Sequence, residues 1–215
     1  MTELFTSRTR IKICGLTRVE DALEVVSSGA DAIGLVFHKA SPRYIEAAQA
    51  AMIRRVLPAF ITVTALFMDE SEADVARIID LVDPDCLQFH GRESPAFCER
   101  WERNYIKAIP MGSVDDASAF AVNYPQASGF LLDSNVAGRQ GGSGDTFDWS
   151  KIPSTFQYPL ILAGGLTPQN VAEAVKHVHP YAVDVSSGVE SSRGIKDARL
   201  IRQFCKEVMR VDCQH

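Results

Sequence analysis

Two ionisable side chains stand at the ends of apolar runs: Cys14 closes Ile11-Lys12-Ile13-Cys14, and Asp133 closes Leu131-Leu132-Asp133. A thiol near positive charge or a helix N-terminus loses its proton easily and then acts as a base or nucleophile. A carboxyl withdrawn from water keeps its proton toward neutral pH and can act as a general acid. One group of each kind suits a reaction that adds a proton at one atom and removes one at another. Each also has a plainer reading, the cysteine as a small buried apolar residue and the aspartate as a hydrogen-bonded structural acid, so their companions matter.

The companions stand at the ends of other apolar runs. Ser41-Pro42-Arg43-Tyr44 puts a guanidinium on a proline-stiffened loop, suited to gripping a carboxylate with two hydrogen bonds or stacking on an aromatic ring, unless it is a solvated surface arginine. Leu87-Gln88-Phe89-His90-Gly91 offers an amide, Gln88, and an imidazole, His90, that is either a proton carrier or a structural group. The turns Ala163-Gly164-Gly165-Leu166 and Asp184-Val185-Ser186-Ser187-Gly188 expose backbone N–H groups, and the second adds two hydroxyls, which together make an anion cradle. Between Asp133 and these turns, Gly138 to Trp149 is the longest irregular stretch. Its glycines, Gly142 among them, allow a backbone to approach a ligand closely, or make an ordinary solvent loop.

The order of elements brings these ends together. Strand-like runs at Ile11–Cys14, Ala32–Phe37, Ile61–Phe67, Cys86–Phe89, Tyr105–Ile109, Gly129–Leu132, Leu160–Leu162 and Ala182–Val185 are continuously apolar, as parallel strands buried on both faces are. Amphipathic segments separate them, at Val19–Ser28, Ala47–Leu57, Glu72–Val82, Pro95–Arg103, Val114–Asn123 and Pro168–His177, and Asp197–Val211 follows the last strand. Thr17, Ser71, Ser94 and Thr167 stand where N-caps belong, Pro95 and Pro168 at first-turn positions, and Gly29 at a helix end. Ser134–Ser154 leaves space for only a short helix near Trp149. Eight strand-then-helix units predict one α/β domain, a (β/α)8 TIM barrel, with its chemistry at the C-terminal ends of the strands and a phosphate site after strands seven and eight. An open doubly wound sheet is the alternative, but no G-x-G-x-x-G follows the first strand.

The chain has 215 residues, with 22 Lys and Arg against 27 Asp and Glu, a formal net charge of −5. The basic residues are scattered, so no electrostatic footprint for nucleic acid or a membrane surface is present, and the expected partner is a small molecule. No apolar stretch approaches the roughly 20 residues of a membrane span, and the first ten residues lack the apolar core of a signal peptide, so a cytoplasmic location is expected. The five cysteines, Cys14, Cys86, Cys98, Cys205 and Cys213, are odd in number and irregularly spaced, which argues against disulfides, and no C-x-x-C suggests zinc. Neither a metal nor a cofactor is expected.

Taken in order, Lys12-Ile13-Cys14-Gly15-Leu16-Thr17, Ser41-Pro42-Arg43, Leu87-Gln88-Phe89-His90-Gly91, Leu131-Leu132-Asp133, Phe147-Asp148-Trp149, Leu162-Ala163-Gly164-Gly165-Leu166 and Asp184-Val185-Ser186-Ser187-Gly188-Val189-Glu190 closely resemble the phosphoribosylanthranilate isomerase family of tryptophan biosynthesis. The match runs from about residue 10 to the last helix and leaves residues 1–9 as a variable extension. Phe89 stands where leucine is commoner. The resemblance implies a metal-free Amadori rearrangement of N-(5'-phosphoribosyl)anthranilate to 1-(o-carboxyphenylamino)-1-deoxyribulose 5-phosphate. It implies Asp133 as the general acid on the furanose ring oxygen and Cys14 as the general base at C2. It also implies Arg43 as a contact of the anthranilate moiety, and Gly164, Gly165, Ser186, Ser187 and Gly188 as the phosphate cradle. Gln88, His90, Gly142 and Asp184 are expected to border the substrate, Asp184 as a strand-eight acid without a defined task. A monomer and a homodimer are equally compatible.

Other phosphosugar barrels share the cradle, so fold and phosphate alone do not fix the chemistry. An epimerase would need His and Asp metal ligands at the mouth, where His90 is the one well-placed histidine. An indole-glycerol-phosphate synthase would need a lysine at a strand end, whereas Lys12 and Lys107 lie within strands. A non-catalytic phosphosugar-binding module would be free to lose Cys14 or Asp133.

Overall fold

The continuously apolar runs form eight parallel strands: β1 (Arg10–Cys14), β2 (Ala32–Val36), β3 (Thr62–Phe67), β4 (Cys86–Phe89), β5 (Tyr105–Pro110), β6 (Gly129–Asp133), β7 (Leu160–Leu162) and β8 (Ala182–Val185). In the computed structural model they hydrogen-bond in chain order and β8 returns to β1, which closes the barrel. The structure describes residues 8–134, 148–149, 152–153 and 156–213. Gly142 and the rest of the Gly-rich stretch up to Phe147, together with residues 1–7 of the expected extension, lie outside the described residues. Arg10, placed just before the first strand by its sequence pattern, already pairs with Ala182 across the closure.

Among the described residues seven helices surround the sheet: α1 (Val19–Ser27), α2 (Ala47–Val56), α3 (Glu72–Val82), α4 (Pro95–Glu99), α5 (Ala117–Ala121), α6 (Val171–Val178) and α7 (Ala198–Asp212). Each turns an apolar stripe inward; in α7 that stripe is Ile201, Phe204, Cys205, Val208 and Val211, all buried. A two-stranded antiparallel ribbon, β9 (Glu190–Ser192) with β10 (Ile195–Lys196), sits between β8 and α7 and has no counterpart in the sequence reading.

Several helix starts differ from expectation for identifiable reasons. Thr17 does not cap α1: its hydroxyl donates to the Gly194 carbonyl at 2.8 Å, and Arg18 stands at the N-cap without a side-chain cap bond. Thr167 opens a turn instead of α6, because the Asn170 side chain accepts from the Thr167 N–H and donates to the Gly165 carbonyl, so Pro168 precedes the helix. The start of α5 slips to Ala117 because Asp116 caps the amides of Ser118 and Ala119. The end of α4 comes early, before a chain reversal in which Glu102 takes φ of 51°. Ser71 and Ser94 cap as expected, with Pro95 in the first turn of α4.

Buried thiols give the fold a defined alkaline limit. Burial pushes Cys86 up to about 11, and Cys98 and Cys205 to about 12, against an ordinary thiol value of 9.0. The folded chain therefore keeps protons that the unfolded chain gives up above that ordinary value, so these groups favour folding fully below it and progressively less as pH climbs toward 11 to 12. The midpoint of thermal unfolding should fall by about 10–20 °C between pH 8 and pH 10.5. A midpoint that stays level over this range contradicts the thiol burial.

Candidate active site

All eight strand ends open on one face, and there the sequence-picked side chains meet. A cleft of about 750 Å³, open to solvent, is lined by Cys14, Arg43, Gln88, His90, Asp133, Gly164, Gly165, Asp184, Ser186 and Ser187, together with His38, Ser41 and apolar neighbours. Gly188 stands behind this lining in the turn after β8.

Cys14 is 5% exposed at the end of β1. The sequence reading expected a positive setting to lower its pKa, and the structure corrects this: the net displacement is upward from the ordinary thiol value. Burial is the largest cause. Lys12 and Lys196 pull in the other direction and Asp184 adds to the rise, so the positive setting exists but does not win. The cations are these two lysines; α1 begins only at Val19.

Asp133 ends β6, three places around the barrel from β1. Its Oδ2 lies 3.2 Å from His90 Nε2. On the other side of that ring, His90 Nδ1 faces Gln88 Nε2 at 3.2 Å. The ring is thus held between the Gln88 amide and the Asp133 carboxyl, one at each ring nitrogen. The loop that presents His90 is fixed by Lys107, fully buried within β5, whose ammonium donates to the Gly91 carbonyl at 2.7 Å and to Glu93 Oε2 at 2.8 Å. Lys107 is therefore a structural clamp beneath the mouth.

Arg43 is not free to wave. Its Nε and Nη2 donate to the two carboxylate oxygens of Glu190 at 2.7 and 2.9 Å, and Lys196 Nζ donates to the same carboxylate at 3.0 Å. Those two cations hold Glu190 below the usual carboxylate range despite its burial. Lys196 Nζ also donates to the Ser186 carbonyl at 3.0 Å, and the Ser186 hydroxyl donates to the Cys14 carbonyl at 3.0 Å, so that hydroxyl already has a partner. The ribbon that sequence reading missed carries both Glu190 and Lys196.

The two glycine turns fit against their surroundings with no atom to spare. Gly164 has φ of 81°, and a Cβ on it would lie 2.6 Å from the Ser134 nitrogen. A Cβ on Gly188 would lie 1.9 Å from the Leu166 carbonyl oxygen, so the turn after β8 packs on the turn after β7. Ser187–Val189 forms a short 3-10 turn there.

His38 also lines the cleft, with Nδ1 2.8 Å from Glu70 Oε1, so His90 is not the one histidine at the mouth as expected. Its signal was its place directly after the β2 run. Lys12, passed over because it lies within a strand, extends into the barrel interior and pairs with Asp184 Oδ1 at 3.0 Å, which gives that acid a partner. Among the described residues no three His, Cys, Asp or Glu side chains are grouped as a metal site requires.

Comparison with known proteins agrees with this geometry along nearly the whole chain. Residues 11–207 match the family described as N-(5'phosphoribosyl)anthranilate (PRA) isomerase. The N-(5'-phosphoribosyl)anthranilate isomerase of Pseudomonas fluorescens (strain Pf0-1) is 54% identical over 202 residues, 94% of this chain and 99% of its own. The crystal structure of phosphoribosyl anthranilate isomerase from Thermotoga maritima superposes with a TM-score of 0.84 at 39% identity, covering 94% of this chain and 98% of that one. A crystal structure of phosphoribosyl anthranilate isomerase in complex with reduced 1-(o-carboxyphenylamino)-1-deoxyribulose 5-phosphate superposes with a TM-score of 0.82 at 38% identity, with the same coverage. By family, by sequence and by fold, this chain belongs to the phosphoribosylanthranilate isomerases.

Proposed function

We propose that Asp133 and Cys14 carry out the isomerisation of N-(5'-phosphoribosyl)anthranilate across this cleft, Asp133 as general acid and Cys14 as general base. The observation that supports this most is their convergence on one cleft whose far wall is the pair of glycine turns. Protonated Asp133 gives its proton to the furanose ring oxygen as the C1–O bond breaks, leaving a protonated Schiff base. Thiolate Cys14 then removes the proton from C2, and the enolamine formed tautomerises to the 1-deoxyribulose product. His90, within hydrogen-bond reach of Asp133, fixes the direction of that carboxyl, and Gln88 fixes the ring.

The backbone amides around Gly164, Gly165, Ser187 and Gly188 hold the phosphate, with the Ser186 hydroxyl committed instead to the Cys14 carbonyl. Arg43 faces the anthranilate end in a fixed pose, because Glu190 holds both arms of its guanidinium. A solved relative bound to a reduced form of the product supports a small-molecule substrate of this class here. Among the described residues no helix is long and apolar enough to cross a membrane, which is compatible with work in the cytoplasm.

Loss of phosphoribosylanthranilate fluorescence reports turnover. Asp133→Asn and Cys14→Ser should each lower kcat by about 10²–10⁴-fold with smaller changes in KM. Normal turnover in Asp133→Asn removes the assignment of the acid, and an inactive wild type removes the whole reading.

Ser187→Asp and Gly165→Asp place like charge against the phosphate and should raise KM by about tenfold or more. An unchanged KM in both variants means that the phosphate binds elsewhere.

A further inference from the structure

A buried cysteine makes a poor base unless something offsets the cost of its negative charge. Lys12 and Cys14 are two residues apart on β1, so their side chains leave the same face of the strand, into the barrel, with Lys12 one layer deeper. The β1–β8 register sets Lys12 beside Asp184, and Lys12 Nζ lies 3.0 Å from Asp184 Oδ1, both side chains less than a tenth exposed. Two charges in a barrel core are costly, and apolar side chains of like volume often serve stability as well or better. Stability is therefore a weak reason for a lysine at this position, one layer below the reacting thiol.

We propose that Lys12 is a positioning residue for the proton chemistry of Cys14, its ammonium held under the thiol by Asp184 so that the thiolate can form in a buried site. The proposal rests on Cys14 being the base. Among the described residues the charged groups around that thiol are Lys12 on its own strand, Asp184 on β8, Lys196 on β10 and Arg43 on the loop after β2, with Asp133, His38 and His90 elsewhere on the cleft lining. Lys196 donates to the Ser186 carbonyl and Glu190, Arg43 to Glu190 and Lys12 to Asp184; of the three, Lys12 is the one that shares the inward face of β1 with the thiol. In direction, Lys12 is the largest influence lowering the Cys14 pKa, ahead of Lys196, while Asp184 raises it. Lys12 itself stays charged, since Asp184 and Cys14 outweigh its burial.

The test is the rate at which iodoacetamide alkylates Cys14 at pH 8, followed by peptide mass spectrometry with exposed Cys213 as the internal reference. At that pH the rate is proportional to the small thiolate fraction, so each unit of pKa displacement is about a tenfold change. Lys12→Met should slow Cys14 alkylation by about tenfold or more, and Asp184→Asn should speed it several-fold, with Cys213 unmoved in both. Opposite signs are the signature of charge, because loss of packing alone would move both variants the same way. An unmoved or faster rate in Lys12→Met overturns the proposal. Should Lys12→Met fail to fold, Asp184→Asn decides: a faster rate supports the proposal, and an unmoved or slower rate overturns it. Alkylation needs no turnover, so an enzyme that shows these rate changes yet stays active as Cys14→Ser loses its base assignment and keeps the Lys12 coupling.

Discussion

The pairing of β8 with β1 is the constraint on which the site depends. Arg10, Ile11, Lys12 and Ile13 register with Ala182, Val183, Asp184 and Val185, and this seam closes the barrel. It brings the Cys14 end of the first strand beside the serine turn after the last, residues separated by most of the chain. It also sets Lys12 against Asp184 and lets the Ser186 hydroxyl reach the Cys14 carbonyl. A slip of one residue along the seam would turn each of these side chains to the other face of the sheet and take Cys14 out of the cleft.

The seam is extended outward by the β9–β10 ribbon. Glu190 and Lys196 on that ribbon gather Arg43 from the loop after β2, so the loops after β2 and β8 are joined by one buried carboxylate. An acidic protein thus gathers three cations, Arg43, Lys196 and Lys12, at and beneath the cleft. The formal charge of −5 is spread over the surface, whereas Arg43, Lys12, Lys196 and the turn amides act locally, where burial limits screening by salt.

The strands and the site residues were legible because both follow from short-range rules. A parallel strand buried on two faces reads as an unbroken apolar run, and in a barrel the residue just past such a run stands at the mouth. His90 and Asp133 follow such runs, Cys14, Gln88 and Asp184 are the polar or ionisable residues within the last positions of theirs, and the same rule applied to Phe37 finds His38. The net electrostatics were not legible. The state of Cys14 depends on how far burial outweighs Lys12 and Lys196, and that balance rests on long-range pairing that no local pattern encodes. The start of α6 was obscured for a similar reason, since Asn170 spends its side chain on a turn that serves the β7 loop.

In the proposed mechanism Cys14 and Asp133, which line one cleft, divide the reaction between two strand ends, the carboxyl opening the ring and the thiolate taking the proton from C2. The most direct measurement of that division is the kinetic isotope effect on kcat with substrate deuterated at C2 of the ribose, compared between wild type and Cys14→Ser. A primary effect in Cys14→Ser larger than in wild type is the predicted result, because weakening the base makes C–H cleavage the slowest step. Rates insensitive to deuterium in both proteins would contradict the assignment of Cys14 as the base.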